Sequence, residues 1–149
     1  MTTKSMSSVR VRARRQTDLD EVLAIERACF SDAPWDAESL NRYDCTVAEV
    51  DSAVRGFLIS RELVPSLEGL GGERELLNIA VDPAWRRQGI ARALLEHEIA
   101  HGGALFLEVR NSNLAAQSLY KSYGFTEIGR RDEYYQSPKE SAIVMRLKW

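Results

Sequence analysis

The most informative stretch of this sequence lies at residues 76–91 and reads LLNIAVDPAWRRQGIA. Together with Glu75, its first part is a mostly apolar run through Val81, which is typical of a central β-strand buried on both faces. Asp82-Pro83 ends that strand, a basic turn follows, and Gly89 begins a helix that we predict to reach about His101. The stretch therefore predicts a strand, a tight turn and a helix in succession.

The turn between this strand and this helix is a candidate anion site. The first amide groups of a helix have no intrahelical acceptor and lie at the positive end of the helix dipole. Gly89 and Ala91 have no bulky side chain, so a phosphate can approach the backbone closely. Arg86 and Arg87 add positive charge. A solvated basic turn that only caps a helix explains the same residues, and physical reasoning alone leaves both interpretations open.

Outward from this stretch, hydrophobic periodicity predicts further strands and helices. Their order is strand, two helices, three strands, helix, strand, helix and two strands, which predicts one α/β (α+β) layered sheet domain. The predicted strands are 9–13, 45–50, 53–61, 75–81, 105–109, 125–128 and 142–147, with Asp51-Ser52 as a hairpin turn. The predicted helices start near Thr17-Asp18, at 34–36, at 89 and at 112, and the last three end near 43, 101 and 123.

Composition sets broad limits on the function. The chain has 149 residues, of which 44% are hydrophobic and 28% charged, as in soluble globular proteins. We expect one domain over 9–149, preceded by a disordered tail over 1–8. Its 20 basic and 22 acidic residues leave a net charge of −2, which argues against a broad nucleic-acid surface. No apolar run approaches the roughly 20 residues of a membrane helix. We therefore expect no direct nucleic-acid or membrane partner, and the oligomeric state stays open.

Only Cys29 and Cys45 are present, without Cys-x-x-Cys spacing. A reduced, cytoplasmic setting is the simplest interpretation. Both residues are predicted to be small buried hydrophobic side chains.

Two motifs resemble those of a known family. Arg86-x-x-Gly89-x-Ala91 after an apolar strand resembles the acyl-coenzyme A signature of the GCN5-related N-acetyltransferase (GNAT) superfamily. It is not a Walker loop, because no Gly-Lys-Ser/Thr follows, nor a dinucleotide fingerprint, because Gly89 is its only glycine. Residues 107–125 read LEVRNSNLAAQSLYKSYGF and resemble RimI-type N-alpha-acetyltransferases. The pattern departs at Ser141, where the family usually has Asp, in the 63–73 loop, which is long, and in the 101–103 segment, which is short.

This resemblance implies a fold, a reaction and a substrate. The fold would be a mixed sheet of about seven strands with about four helices, whose splayed central strands bind acyl-CoA. The reaction would move an acetyl group from acetyl-CoA to the N-terminal amine, alanine in the bacterial subfamily, of a small-subunit ribosomal protein. It needs no metal. Because neither cysteine lies in a motif, we expect direct transfer rather than an acetyl-cysteine intermediate.

The resemblance makes Glu108 the general base. An α-amino group has a pKa of about 7.7–8.0, so the base needs only modest strength. Glu108 interrupts an apolar strand, where an unpaired carboxylate would be costly. A structural pair with Arg110, which strand alternation puts on the same face, is the alternative.

Tyr120 would be the general acid for the leaving thiolate. Asn113 lies about two helical turns earlier, so both residues can lie on one helix face. A tyrosine pKa near 10 exceeds that of a thiol, about 8.5, so hydrogen bonding to the thiolate is easier than full proton donation. The alternative is a core aromatic residue next to Leu119 and Tyr123.

The resemblance also implies binding roles. Asn113 is expected to contact the coenzyme, and capping of its helix is the alternative, a role that Asn111 or Ser112 could equally fill. Trp35 and Tyr135 are candidates for the peptide-side wall, with plain packing as the alternative. The full set expected to bind the coenzyme is Ile79, Ala80, Val81, Arg86, Arg87, Gln88, Gly89, Ile90, Ala91, Asn113 and Ala116.

Other function classes compete with this hypothesis. His97-Glu98-Ile99-Ala100-His101 matches the zinc-protease pattern His-Glu-x-x-His, which would put both histidines on one helix face. No evident third ligand follows, and a histidine near a helix end also interacts favourably with the dipole. A non-catalytic acyl-CoA-binding module would not need both Glu108 and Tyr120. Transfer to a small-molecule amine or a lysine side chain stays open, since acceptor choice depends on loops.

Overall fold

The structure is a computed structural model that describes residues 8–30, 35–68, 71–136 and 139–148. Within those residues it contains seven strands and four α-helices in the predicted order, together with two short 3-10 helices at Gln16–Asp18 and Pro83–Trp85. The strands are β1 (Arg10–Ala13), β2 (Asp44–Val50), β3 (Ala53–Val64), β4 (Glu73–Val81), β5 (Ala104–Arg110), β6 (Thr126–Gln136) and β7 (Lys139–Lys148). The helices are α1 (Leu19–Cys29), α2 (Ala37–Asn41), α3 (Ile90–Ile99) and α4 (Leu114–Ser122).

The seven strands form one mixed sheet in the order β1-β2-β3-β4-β5-β7-β6, which confirms the predicted fold class. Strand β4 is parallel to β5, with the register running from Glu73↔Ala104 to Leu76↔Leu107. Residues 77–81 of β4 lie beyond this paired segment. Strand β7 is antiparallel to both β5 and β6, so β5 is paired along its whole length on that side.

The chain divides into two compact units. The first comprises Met1–Ile59 and Asn78–Ala100, and its core packs α1 and α3 on strand residues. Helix α3 buries Ile90, Leu94 and Leu95, an i, i+4, i+5 spacing that puts them on one face. Gly56 lets α3 come close to the sheet, because a Cβ there would lie 2.9 Å from Ile90 Cγ2 and 3.0 Å from the Ala80 carbonyl oxygen.

The second unit comprises Ser60–Leu77 and His101–Trp149. Its core takes alternate residues of β5 and β7, among them Leu105, Leu107, Ile143, Met145 and Leu147. Period-2 alternation puts these side chains on one face of each strand, and it leaves Glu108 and Arg110 together on the other face of β5.

Several boundaries differ from prediction. Strand β6 runs to Gln136 rather than 128, and β3 runs to Val64 rather than 61. Both extensions are rich in charged or exposed residues, so they carry no hydrophobic alternation. Strand β4 buries only Leu76 and Ala80, so the prediction of burial on both faces was wrong. The tail prediction falls almost wholly on residues 1–7, and Pro34 belongs to 31–34. Both segments lie outside the described residues.

The two-residue turn between β2 and β3 was predicted correctly. Asp51 and Ser52 have φ values of 52° and 64°, as a left-handed hairpin turn requires. None of the helices in the described residues has the length and apolar character needed to cross a membrane.

Candidate active site

The predicted anion turn connects β4 to α3 in the first unit. Asp82 Oδ1 accepts a hydrogen bond from the Ala84 amide at 3.0 Å, which starts the 3-10 helix at Pro83–Trp85. The Arg55 guanidinium carbon lies 4.2 Å from the centre of the Trp85 ring, a cation–π contact that holds this short helix. The turn is thus fixed at its start, before the basic residues begin.

The backbone of the basic turn is left-handed at two positions, Arg87 at φ 63° and Gly89 at φ 78°. Alternation with left-handed residues turns successive amide groups inward and forms concavities that bind anions. Gly89 is the N-cap of α3 and offers no side-chain oxygen to the first-turn amides. No heavy atom lies within 4 Å of where its Cβ would be. Residues 86–89 are all exposed, so the turn fits a phosphate group.

Cys29, at the end of α1, contacts this region, although sequence reasoning placed it outside every motif. Its Sγ lies 3.4 Å from the carbonyl oxygen of Val81, to which the thiol donates, and 3.5 Å from Arg86 Nη2. The last turn of α1 therefore touches both the end of β4 and the basic turn. Of the other expected coenzyme-binding residues in this unit, Ala80 and Ile90 are buried, whereas Ile79 and Ala91 are partly exposed.

Glu108 lies on β5 in the second unit, with two partners from β6. Its Oε1 is 3.1 Å from Nε of Arg131, and it accepts a hydrogen bond from the hydroxyl of Tyr134, which raises the pKa of that tyrosine. A register shift in β6 lies between Arg131 and Tyr135, and Glu133 inside it has φ 52°. Bulges of this kind redirect side chains next to active sites. The partners that the described residues show for Glu108 are thus Arg131 and Tyr134.

Arg110 instead binds residues of the β6–β7 hairpin. Its guanidinium carbon lies 4.2 Å from the ring centre of Tyr135, and its Nη1 lies 3.4 Å from Oε2 of Glu140. Glu140 also accepts hydrogen bonds from Ser112, which lower the pKa of its carboxyl group. Desolvation, with the nearby Glu108 charge, raises the pKa of Tyr135 to about 12.

Tyr120 is buried in the last turn of α4, 5% exposed. Its ring lies 5.6 Å from that of Phe125, so it is also the core aromatic residue of the alternative interpretation. Desolvation, followed by the electrostatic effect of Tyr135, raises its pKa to about 12. A phenol with this pKa stays protonated near neutral pH and can donate a hydrogen bond.

Asn113 caps α4, as its alternative interpretation predicted. Its Oδ1 accepts from the Ala116 amide at 3.1 Å, so Asn113 rather than Asn111 or Ser112 is the N-cap. Sequence reasoning missed the buried Gln117, whose Nε2 donates to the carbonyl oxygens of Arg110 and Asn111 at 3.1 and 2.9 Å. These two hydrogen bonds fix the end of β5 to α4.

Trp35 lies beside α2, with its ring centre 5.4 Å from that of Tyr43. Its backbone amide donates to Glu26 Oε1 at 3.0 Å. Glu26 is a second residue that sequence reasoning did not assign to the site, and it is fully buried.

The His-Glu-x-x-His segment, the competing zinc-protease pattern, does not lie wholly within one helix. Helix α3 ends at Ile99, so His101 lies outside the helix that contains His97 and Glu98. Glu98 is buried. No group of three or more His, Cys, Asp or Glu side chains suited to a metal ion is found among the described residues.

The mixed sheet, the basic turn before α3 and the carboxylate on β5 define an acetyltransferase fold of the GNAT type. The sequence pattern of the acetyltransferase (GNAT) domain matches residues 41–127, and the chain belongs to this family. A relative of Salmonella typhimurium (strain LT2), named [Ribosomal protein bS18]-alanine N-acetyltransferase, is 36% identical over 143 residues. That match covers 88% of this chain and 91% of the relative.

Solved structures give the same fold. The ribosomal-protein-S18-alanine N-acetyltransferase from Escherichia coli superposes with a TM-score of 0.81 at 35% identity, covering 95% of this chain and 94% of that one. Arabidopsis thaliana NAA60 in complex with acetyl-CoA superposes with a TM-score of 0.83 at 18% identity, covering 95% of this chain and 100% of that one. At this identity the match shows the fold alone.

Some curated relatives are matched over only part of their length. The match covers 38% of an uncharacterised protein of Mycobacterium leprae (strain TN), at 37% identity over 140 residues. It covers 55% of the [Ribosomal protein bS18]-alanine N-acetyltransferase of Escherichia coli (strain K12), at 51% identity over 82 residues.

Proposed function

We propose that this chain is a cytoplasmic N-alpha-acetyltransferase, one domain over 9–149, that uses acetyl-CoA to acetylate the N-terminal amine of a small-subunit ribosomal protein, with alanine as the first residue. The observation that carries the proposal is the match, over nearly the full length of both chains, to the Salmonella protein named as a ribosomal protein bS18-alanine N-acetyltransferase. The half-buried carboxylate of Glu108, held beside Tyr134 and Arg131, supports it as a proton acceptor.

The coenzyme is proposed to bind through the basic turn and β4. The backbone amide groups of residues 87–91 and the charges of Arg86 and Arg87 would hold its phosphates. Backbone groups of Ile79, Ala80 and Val81 would bind the pantetheine arm and polarise the thioester carbonyl. Asn113 and Ala116 at the start of α4 are the remaining proposed contacts.

In the proposed reaction, Glu108 removes a proton from the α-ammonium group, directly or through water. The free amine attacks the thioester carbonyl, a C–N bond forms, and the C–S bond breaks. As the amide forms, its nitrogen loses a second proton, which reaches the departing thiolate through water and converts it to the thiol. Tyr120 donates a hydrogen bond to that thiolate and keeps its own proton. Full proton transfer from Tyr120 would be uphill by about 5 kcal/mol against a thiol pKa near 8.5, so hydrogen bonding is its main role. Trp35 and Tyr135 are proposed to contact the acceptor peptide.

A panel of acceptors tests this function. The purified chain and acetyl-CoA are incubated with an alanine-initiated ribosomal peptide, the same peptide with a blocked N-terminus and an internal lysine, and small amines. Mass spectrometry locates the acetyl group. We expect acetylation of the free N-terminus only. Acetylation of small amines or lysine alone would refute the acceptor class, and stoichiometric zinc with loss of activity to chelators would overturn the reaction class.

A further inference from the structure

Glu26 is a fully buried carboxylate on α1 that makes hydrogen bonds to two separate segments. Its Oε1 accepts from the backbone amide of Trp35 at 3.0 Å, and its Oε2 accepts from Asn78 Nδ2 at 2.8 Å. Burial is the main cause that raises the pKa of this carboxyl group, and the two hydrogen bonds oppose it. One side chain thus joins α1, the start of the Trp35 segment and the middle of β4.

The chemistry of these partners is unusual for a buried acid. Asp18 is also buried, but its carboxylate is paired with Arg12 at 2.7 Å. Within the described residues, the partners shown for Glu26 are two neutral groups, which compensate for lost hydration less completely than a cation does. A leucine or methionine of similar size would avoid that cost. What an apolar side chain lacks is two acceptor atoms that point in different directions.

The positions of the two partners indicate what these two carboxylate oxygens achieve. Trp35 is proposed to contact the peptide that receives the acetyl group. Asn78 directly precedes the three β4 residues proposed to bind the coenzyme. One turn after Glu26, Cys29 contacts the Val81 carbonyl oxygen, so the end of α1 meets β4 at two points. Glu26 therefore fixes the acceptor-side segment to the strand that would hold the acetyl donor.

We propose that Glu26 is a positioning residue for the acceptor, which acts through Trp35 and Asn78 rather than by touching substrate. This inference rests on the proposed function. It requires two hydrogen bonds and no charge. Glutamine can keep both, because the Asn78 amide can turn over and present its oxygen to the new amide nitrogen. Alanine can keep neither.

Kinetics with the alanine-initiated peptide separate positioning from general stability. We expect Glu26→Ala to raise the peptide KM by about tenfold, the order of effect of losing two ordinary hydrogen bonds. The Kd of acetyl-CoA should stay within about twofold, and Glu26→Gln should return the peptide KM to within about threefold of wild type. The matched control is Glu21→Ala, because Glu21 on the same helix also accepts from a backbone amide, that of Val54 at 3.0 Å. We expect the control to leave the peptide KM unchanged.

A second measurement follows the hydrogen bond between Glu26 and the Trp35 amide directly, without any peptide substrate. Hydrogen exchange of the Trp35 backbone amide, read by NMR, should be at least tenfold faster in Glu26→Ala than in Glu26→Gln or Glu21→Ala. Unchanged exchange in Glu26→Ala would overturn the inference. So would faster exchange with an unchanged peptide KM, or equal effects of the Glu26 and Glu21 substitutions.

The two proposals can fail separately. If the wild-type chain acetylates no peptide, the proposed function is refuted, while amide exchange still decides whether Glu26 fixes Trp35. If Glu26→Ala does not fold, the comparison is made between Glu26→Gln and Asn78→Ala. The latter removes one donor and should raise the peptide KM and the Trp35 exchange rate, and no change in either would refute the inference.

Discussion

Glu108 contacts Arg131 and Tyr134. In the proposed reaction, the acceptor amine would displace Arg131. The Arg131 side chain is 59% exposed, and an ion pair with so much solvent contact is worth at most about 1 kcal/mol. The α-ammonium group of a peptide is itself a cation and can take the place of Arg131 beside the carboxylate. The resting ion pair is therefore compatible with a role for Glu108 as the base.

Replacement of this carboxylate tests the base directly. We expect Glu108→Gln to lower kcat by about 100-fold or more, because the amide cannot accept the amine proton. The Kd of acetyl-CoA, measured by calorimetry, should change less than twofold. Glu127→Gln is the control, since Glu127 is a partly exposed carboxylate of β6 paired with Arg130. Similar turnover in both variants would refute the assignment.

The raised pKa of Tyr120 leads to an expectation about pH. Because that pKa is about 12, the phenol stays protonated throughout the range from pH 6 to 10. Tyr120→Phe should lower kcat by roughly tenfold at every pH, because a hydrogen bond to a charged group such as the thiolate contributes about 1.5 kcal/mol or more. The limbs of the pH–rate profile should stay in place. A basic limb that disappears in the variant would contradict this role, and Tyr123→Phe serves as the control.

At the scale of elements, the packing of α3 against the sheet depends on Gly56. A Cβ at this position would lie 2.9 Å from Ile90 Cγ2 and 3.3 Å from Leu94 Cδ1, so helix and strand would have to separate. Gly56→Ala is expected to lower the free energy of unfolding by about 1–3 kcal/mol, the usual cost of overpacking.

Urea denaturation followed by circular dichroism measures this cost. Gly129→Ala in β6 is the matched control, because nothing lies within 4 Å of the added Cβ. Its effect should stay within about 0.5 kcal/mol. Equal stability losses in the two variants would mean that backbone flexibility, and not the contact with α3, explains the role of Gly56.

Hydrophobic periodicity predicted the elements whose side chains face a core. Strand β5 and helix α3 lie within a few residues of their predicted ranges, because their apolar residues repeat at the period of the element. The second half of β6, from Arg131 to Gln136, could not be predicted, since its polar residues and its register shift hide the strand pattern. Helix α3 ends at Ile99, two residues before the predicted end near His101, and Gly102 and Gly103 follow with left-handed φ values of 77° and 76°.

The residues of the candidate site also fall into two groups, those that a local sequence pattern predicted and those that it did not. Glu108 and Tyr120 were found through motifs that are contiguous in sequence. Arg131, Tyr134 and Glu26 were not assigned to the site, because each takes part through a contact between distant segments. Asn78 lies 52 positions from Glu26, and no local pattern in α1 announces that bond.

At the scale of the whole molecule, two buried carboxylates act on stability in opposite directions as pH changes. The Arg12 hydrogen bond lowers the pKa of Asp18, so its contribution is complete above the ordinary value of 3.8 and is lost as pH falls through the lowered pKa. Burial raises the pKa of Glu26. The folded protein therefore binds the carboxyl proton of Glu26 more tightly than the unfolded chain does. As a result, the free energy of unfolding declines as pH rises from 4.5 through the raised pKa.

Unfolding free energies at several pH values test both signs. Asp18→Ala should cost about 3 kcal/mol at pH 7, as expected when one partner of a buried ion pair is removed, and less below pH 4. Glu26→Gln should gain stability relative to wild type as pH rises above about 4.5, because glutamine has no charge to bury. A difference that does not change with pH would exclude the titration of that residue as its cause.

The far end of β3 and the loop after it have a use in protein engineering. Every residue from Arg61 to Glu68 is exposed, including Leu63, Val64 and Leu67. Segments with so little buried surface tolerate insertions well. An affinity tag or a fluorescent label introduced near Ser66 should leave the core undisturbed, and it would give an attachment point for immobilising the protein on a biosensor surface.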